Sequence, residues 1–206
     1  MYYNSQKIIL ASASPRRQQY LRDMGLQFST HTAAIDEHPA ADEDPTAFVM
    51  RMALEKAAAI REHFPEAWIV SGDTVVCLDR RILGKPENAE DAVDLLMALS
   101  GREHVVRTGF CVTHGERRVQ IVQSVSTKVR FAAFSEDIAR AYVATGESFD
   151  KAGAYAIQGR GACLVEAIEG SYSNVVGLPI CEVLQVLHEY GVIVPGFLSK
   201  AGDGLQ

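Results

Sequence analysis

The segment from Lys7 to Arg17 constrains the fold more than any other, because it carries a strand, a turn and a helix start within a few residues. Lys7-Ile8-Ile9-Leu10-Ala11 is a short apolar run, the pattern of a buried strand. Ser12-Ala13-Ser14 follows as a turn, and Ser14-Pro15 supplies an N-cap serine with proline at the first helical position. The predicted helix runs on through Tyr20, Leu21 and Met24 and stops at Gly25.

The rest of the chain reads by the same signals. Asp36 to Pro45 is a polar, acidic loop, and Asp44-Pro45 opens a helix that reaches about Glu62. Ala67 to Val70, Thr74 to Leu78 and Arg81 to Leu83 are predicted strands, with Asp79-Arg80 in a turn. Asn88 caps a third helix, with Glu90 and Asp91 suiting its dipole and Gly101 beyond its end. Val105 to Thr113 and Val119 to Phe131 are long strands, partly antiparallel. Ser135 caps a helix through Tyr142, and Pro179 to Tyr190 is a last helix stopped by Gly191. Strands and helices interleave without strict alternation, so a mixed α/β sheet is expected rather than a doubly wound one. The chain is expected to form a single domain over 1–206, ordered from about 7 to 194, with a loose tail after Pro195.

Of the 206 residues, 48% are apolar and 22% charged, which excludes a disordered chain. No apolar run approaches a membrane span, and Met1 to Lys7 lacks the apolar stretch of a signal peptide. The formal net charge of −6 argues against nucleic acid as a partner and requires any anion site to gather positive charge locally. Cys77, Cys111, Cys163 and Cys181 lack zinc-site spacing, and read as reduced, mostly buried thiols of a cytoplasmic protein.

Three positions break local preference. Arg16 and Arg17 fall in the first turn of a helix, where the dipole is already positive. They are either solvated arginines on an exposed face or, with the serines and free N–H groups, a phosphate site. Lys56 lies near the middle of an apolar stripe formed by Phe48, Val49, Met52, Ala53, Ala59 and Ile60. Its ammonium either snorkels to water or meets phosphate in a cleft. Asp73 follows the apolar run Trp68-Ile69-Val70, and is either a turn aspartate or a sheet-edge carboxylate that binds metal or acts on water. Gly84-Lys85-Pro86 is not a Walker A loop, and Gly159-Arg160-Gly161 lacks the third glycine of a dinucleotide fingerprint. No histidine pair has metal-ligand spacing.

Taken together, the motifs resemble the Maf family of nucleotide pyrophosphatases. Ile8 to Arg17 is similar to the family's opening motif, and Leu54-Glu55-Lys56-Ala57, Ser71 to Val76 and Ile82 to Pro86 follow in family order. Leu99-Ser100-Gly101-Arg102, Asp150 to Gly159 and Asn174 to Pro179 complete a resemblance that spans Lys7 to Tyr190.

The resemblance implies an elongated mixed α/β fold of two lobes around a central cleft, related to the inosine-triphosphate pyrophosphatases. It implies hydrolysis of a nucleoside triphosphate to the monophosphate and pyrophosphate with a divalent cation, Mg²⁺ or Mn²⁺. The Asp150 to Gly159 segment looks like the branch acting on dTTP and UTP; the alternatives are 7-methyl-GTP or another modified nucleotide, or a nucleotide-sensing regulator of cell division with little turnover. Carried over, Asp73 is the expected proton acceptor, Arg16, Thr74 and Gln158 match positions tied to substrate choice, and Ser12, Arg17, Glu37, Lys56 and Lys85 match other cleft residues. Glu37 and Asp73 are the candidate metal carboxylates, with Asp73 either metal ligand or base, since it cannot easily be both. A homodimer is a possible assembly.

Overall fold

The computed structural model describes residues 1–196. The chain forms β1 (Tyr2–Asn4), β2 (Ile8–Leu10), α1 (Pro15–Asp23), β3 (Ser29–Thr30), α2 (Pro45–Arg61), β4 (Trp68–Leu78) and β5 (Arg81–Leu83). There follow α3 (Ala89–Leu99), β6 (Glu103–His114), β7 (Val119–Phe131), α4 (Glu136–Val143), β8 (Val165–Glu169), α5 (Tyr172–Val176), α6 (Ile180–Glu189) and β9 (Ile193–Pro195). Short 3-10 turns at Ala152–Ala154 and Gly159–Leu164 fill the glycine-rich stretch. The loose tail expected after Pro195 concerns residues 197–206, which lie outside the described residues.

Seven strands form one mixed sheet in the order β3-β2-β4-β6-β7-β8, with β5 attached to β4. β2 runs parallel to both β3 and β4, and the other pairings are antiparallel. β1 and β9, neither of them expected, pair antiparallel and join the two ends of the described chain. β3, β8 and α5 were not expected either, being short and without strong periodicity.

The sheet buries both faces. On one face α2 covers Ile9, Ile69, Val75, Cys77 and Cys111 with Phe48, Val49, Met52, Ala53, Ala57 and Ile60. On the other, α1 and α6 close one cluster around Trp68, Val70 and Phe110, and α3 and α4 close a second around Val76, Val106 and Phe131. Each fully buried leucine, isoleucine or phenylalanine contributes about 1.5–3 kcal/mol.

Helix starts follow their caps. Ser14 Oγ accepts from the Arg17 N–H, Asp44 from Thr46 and Ala47, and Asn88 from Asp91. Ser135 precedes α4 but makes no side-chain cap bond.

Two expectations are corrected. The strands expected at Ala67 to Val70 and Thr74 to Leu78 are one: β4 runs unbroken from Trp68 to Leu78, so Asp73 is a strand residue and not a turn aspartate, because β6 pairs with β4 at every residue from Trp68 to Cys77. That long ladder overrides a local composition that favours a turn. The cysteines are all free, but only Cys77 and Cys111 are buried; Cys163 and Cys181 are exposed, one in a 3-10 turn and one on the outer side of α6. No helix among the described residues is long and apolar enough to cross a membrane.

Candidate active site

The outer edge of β4 is only partly covered. β2 pairs with Trp68 to Val70 and β5 pairs with Val76 to Leu78, so Ser71 to Val75 face no strand on that side. This notch opens into a cleft of about 1020 Å³. Strand alternation sends consecutive notch residues to opposite faces of the sheet. Asp73 points toward α2 and Thr74 toward α1, and both line the cleft as it wraps round the bare edge.

On the α2 side, Lys56 Nζ lies 2.8 Å from Asp73 Oδ1 and 3.0 Å from Glu37 Oε1. The side chains of Lys56 and Asp73 are only 12% and 14% exposed, so the pair is well shielded from water. Lys56 thus faces inward, and neither snorkels to bulk solvent nor stands free: two carboxylates hold it. The hydrogen bonds of the described residues leave Asp73 Oδ2 open to the cleft.

On the α1 side, Arg17 is enclosed by neutral acceptors. Its Nε donates to the Gly177 carbonyl at 2.7 Å, Nη1 to Ser12 Oγ at 3.2 Å and Nη2 to Thr74 Oγ1 at 3.1 Å. Burial pulls its pKa down; Asp73 opposes that shift and Arg16 adds to it. An arginine keeps its charge under such pressure. Arg16, by contrast, reaches across the cleft, with Nη1 3.6 Å from Asp150 Oδ2. Asp150 in turn meets Lys151, whose ammonium also donates to the Glu147 carbonyl at 2.6 Å. Burial raises the Asp150 pKa, but its bond to Lys151 and the nearby cations outweigh that, so the net shift is downward.

All of the residues singled out from sequence line this one cleft: Ser12, Arg16, Arg17, Glu37, Lys56, Asp73, Thr74, Lys85 and Gln158. Lys85 and Gln158 are exposed at its rim. Five cations, with Lys151 included, face three carboxylates, so the cleft is positive within a chain of net charge −6. Polyanions are therefore drawn to it locally although the whole molecule is acidic.

The sequence did not disclose the partners of these groups. Gly177 falls in the Asn174 to Pro179 motif, but nothing in the sequence tied its carbonyl to Arg17, since a main-chain oxygen looks alike everywhere. The Asp150 bridge to Arg16 was also missed; the only hint was the charge of the Asp150-Lys151 pair.

Glu37 and Asp73 converge on one point, each within 3.0 Å of the same ammonium. The ammonium takes one oxygen of each, and the second oxygens are left to suit Mg²⁺, which takes one or two protein carboxylates, substrate phosphate oxygens and water. No cluster of three or more histidine, cysteine, aspartate or glutamate side chains able to hold a metal occurs among the described residues, so a fully protein-built cage is not the arrangement here.

Residues 7–190 match the family model described as "Maf-like protein". The dTTP/UTP pyrophosphatase of Desulfotalea psychrophila is 51% identical over 193 residues, 94% of this chain and 99% of that protein. The dTTP/UTP pyrophosphatase of Geobacter sp. strain M21 is 48% identical over 186 residues, covering 90% of this chain and 96% of its own. Among solved structures, the Ham1 protein of Staphylococcus aureus superposes with a TM-score of 0.51 at 12% identity, over 90% of this chain and all of that one; this is a likeness of fold.

Proposed function

The chain belongs to the Maf-like protein family, and on that footing we propose that it hydrolyses nucleoside triphosphates, dTTP and UTP foremost, to the monophosphate and pyrophosphate. Relatives at 45–51% identity carry the name dTTP/UTP pyrophosphatase along nearly their whole length. The observation that carries the reading is the shielded Asp73–Lys56 pair, set in a bare strand edge where five cations gather.

Asp73 accepts a proton from the attacking water through its open oxygen, and Lys56 holds the carboxylate in place at Oδ1. The water adds to the α-phosphorus, the bond from that phosphorus to the bridging oxygen breaks, and pyrophosphate leaves. Arg16, Arg17 and Lys85, which line the same cleft, supply the positive charge to meet what grows on the leaving oxygens in this reading. Gln158 at the rim offers an amide that both donates and accepts, as a pyrimidine edge requires. Glu37 would hold a divalent cation, Mg²⁺ or Mn²⁺, joined by Asp73 only if Asp73 does not serve as the proton acceptor, and the bound ion would neutralise phosphate charge.

The substrate is the nucleoside triphosphate, with neither nucleic acid nor membrane among the partners, and a homodimer is the assembly that light scattering would test. Four free cysteines suit a reducing cytoplasm. Pyrophosphate release measured across dTTP, UTP, CTP, GTP and 7-methyl-GTP with Mg²⁺ tests the reading. Preference for dTTP and UTP supports it, preference for 7-methyl-GTP moves the chain to the other base class, and tight binding with scant turnover overturns catalysis in favour of sensing.

A further inference from the structure

Apart from the Gly177 carbonyl that holds Arg17, the Asn174 to Pro179 motif has no part in the chemistry above, yet Asn174 and Thr108 are fully buried. The Asn174 amide donates to the Val106 carbonyl at 3.1 Å and to Thr127 Oγ1 at 3.0 Å, pinning α5 to β6 and β7. The Asn174 carbonyl accepts from Thr108 Oγ1 at 3.1 Å. Thr108 stands opposite Thr74 in the β4–β6 ladder, their hydroxyls 2.9 Å apart. Thr74 Oγ1 in turn accepts from Arg17 Nη2.

Each hydroxyl has one proton to donate. With its proton on the Asn174 main-chain carbonyl, Thr108 accepts from Thr74. Toward Arg17, which only donates, Thr74 accepts. The contacts run Arg17 to Thr74 to Thr108 to Asn174, anchored at the buried end. The competing acceptor for the Thr74 proton is the Gly177 carbonyl, at a longer 3.3 Å and already taken by Arg17 Nε. Among the described residues no carboxylate lies within ion-pair distance of Arg17; Asp73 and Glu37 act on it only from further off, and no side chain pairs with its charge directly.

We propose that Thr108 is a positioning residue for polyphosphate binding: held by the Asn174 main-chain carbonyl, its hydroxyl anchors the Thr74 hydroxyl where that meets Arg17 Nη2, which fixes the guanidinium at the cleft wall. The polyphosphate class of the ligand rests on the hydrolase reading. Without the Thr108 hydroxyl, the Thr74 proton turns to the Gly177 carbonyl and competes there with Arg17.

The test measures the Kd of inorganic tripolyphosphate by calorimetry, KM and kcat for dTTP, and the melting temperature, on wild type, Thr108→Val and Thr108→Ser. Valine keeps the shape and removes the hydrogen bonds; serine keeps the hydroxyl and removes a buried methyl. Thr108→Val is expected to weaken tripolyphosphate and raise KM about tenfold, with kcat changed by less than about threefold. Thr108→Ser is expected to bind as wild type does although it melts lower, an ordering that a merely structural role does not produce. Equal Kd values for Thr108→Val and wild type overturn the proposal, and so does a loss in Thr108→Ser that matches the valine variant. Thr108→Ala carries the same comparison where Thr108→Val does not fold. Tripolyphosphate binding without pyrophosphate release by wild type overturns the hydrolase reading alone, and the Kd comparison still decides Thr108.

Discussion

Asp73 stands directly opposite Gly109 in the β4–β6 ladder, and the space a Gly109 side chain would fill is occupied by the Val49 carbonyl of α2. The absent side chain lets α2 lie against the sheet, and Lys56, two turns further along that helix, then reaches Asp73. Gly109→Ala must lift α2 and is expected to cost about 1–3 kcal/mol through overpacking. It should also lower kcat by loosening the Lys56–Asp73 pair. Urea unfolding with activity assayed alongside checks this; an unmoved midpoint would contradict the close approach.

Asp73→Asn removes the proton acceptor while keeping its size and polarity. Turnover is expected to fall by about 10²-fold or more, and Glu37 remains to meet the Lys56 ammonium, so the melting temperature should move little. Pyrophosphate release within a few-fold of wild type would take Asp73 out of the chemistry.

Arg16 is one-third exposed and paired only loosely with Asp150. Its contribution to stability is therefore expected to be small, below about 1 kcal/mol. Arg16→Ala should instead raise the KM for dTTP, by about tenfold if one charge-assisted contact is lost. Unchanged Michaelis constants would count against a phosphate site at the start of α1.

His104 is buried beside Tyr155 and Phe131, with Nε2 2.7 Å from the Tyr155 hydroxyl and Nδ1 without a partner among the described residues. Burial lowers its pKa to about 4. The unfolded chain therefore binds a proton between about pH 6.5 and pH 4 that the folded chain refuses. The neutral imidazole's full contribution is present above pH 6.5 and is lost as pH falls toward 4, a drop of about 3 kcal/mol across the window. Denaturant titrations at several pH values, compared with those of His104→Gln, should show a shallower slope in the variant.

Chelation is expected to abolish pyrophosphate release and leave the fold intact, because Glu37 and Asp73 already share the Lys56 ammonium in the protein alone. Turnover that persists in excess EDTA would exclude a metal role, and restoration by added Mg²⁺ would support one.

Helix starts were legible in the sequence because their causes are local. Ser14-Pro15, Asp44-Pro45 and Asn88 close their cap bonds within one helical turn, so each start lies where it was expected. The long strands β6 and β7 were legible from their β-branched runs, and the cleft residues from ordered family motifs. What only the tertiary structure decided is who faces whom. Whether Ser71 to Asp73 turns or continues depends on β6, some forty residues further along the chain in the antiparallel register. The bare edge exists because β2 ends before β5 begins, a matter of strand order. Lys56 meets Asp73, and Arg17 meets Gly177, across chain separations of 17 and 160 residues. Such partners are chosen by sheet pairing and helix packing, whose energies depend on distant segments meeting, and backbone preference at a single residue does not encode them.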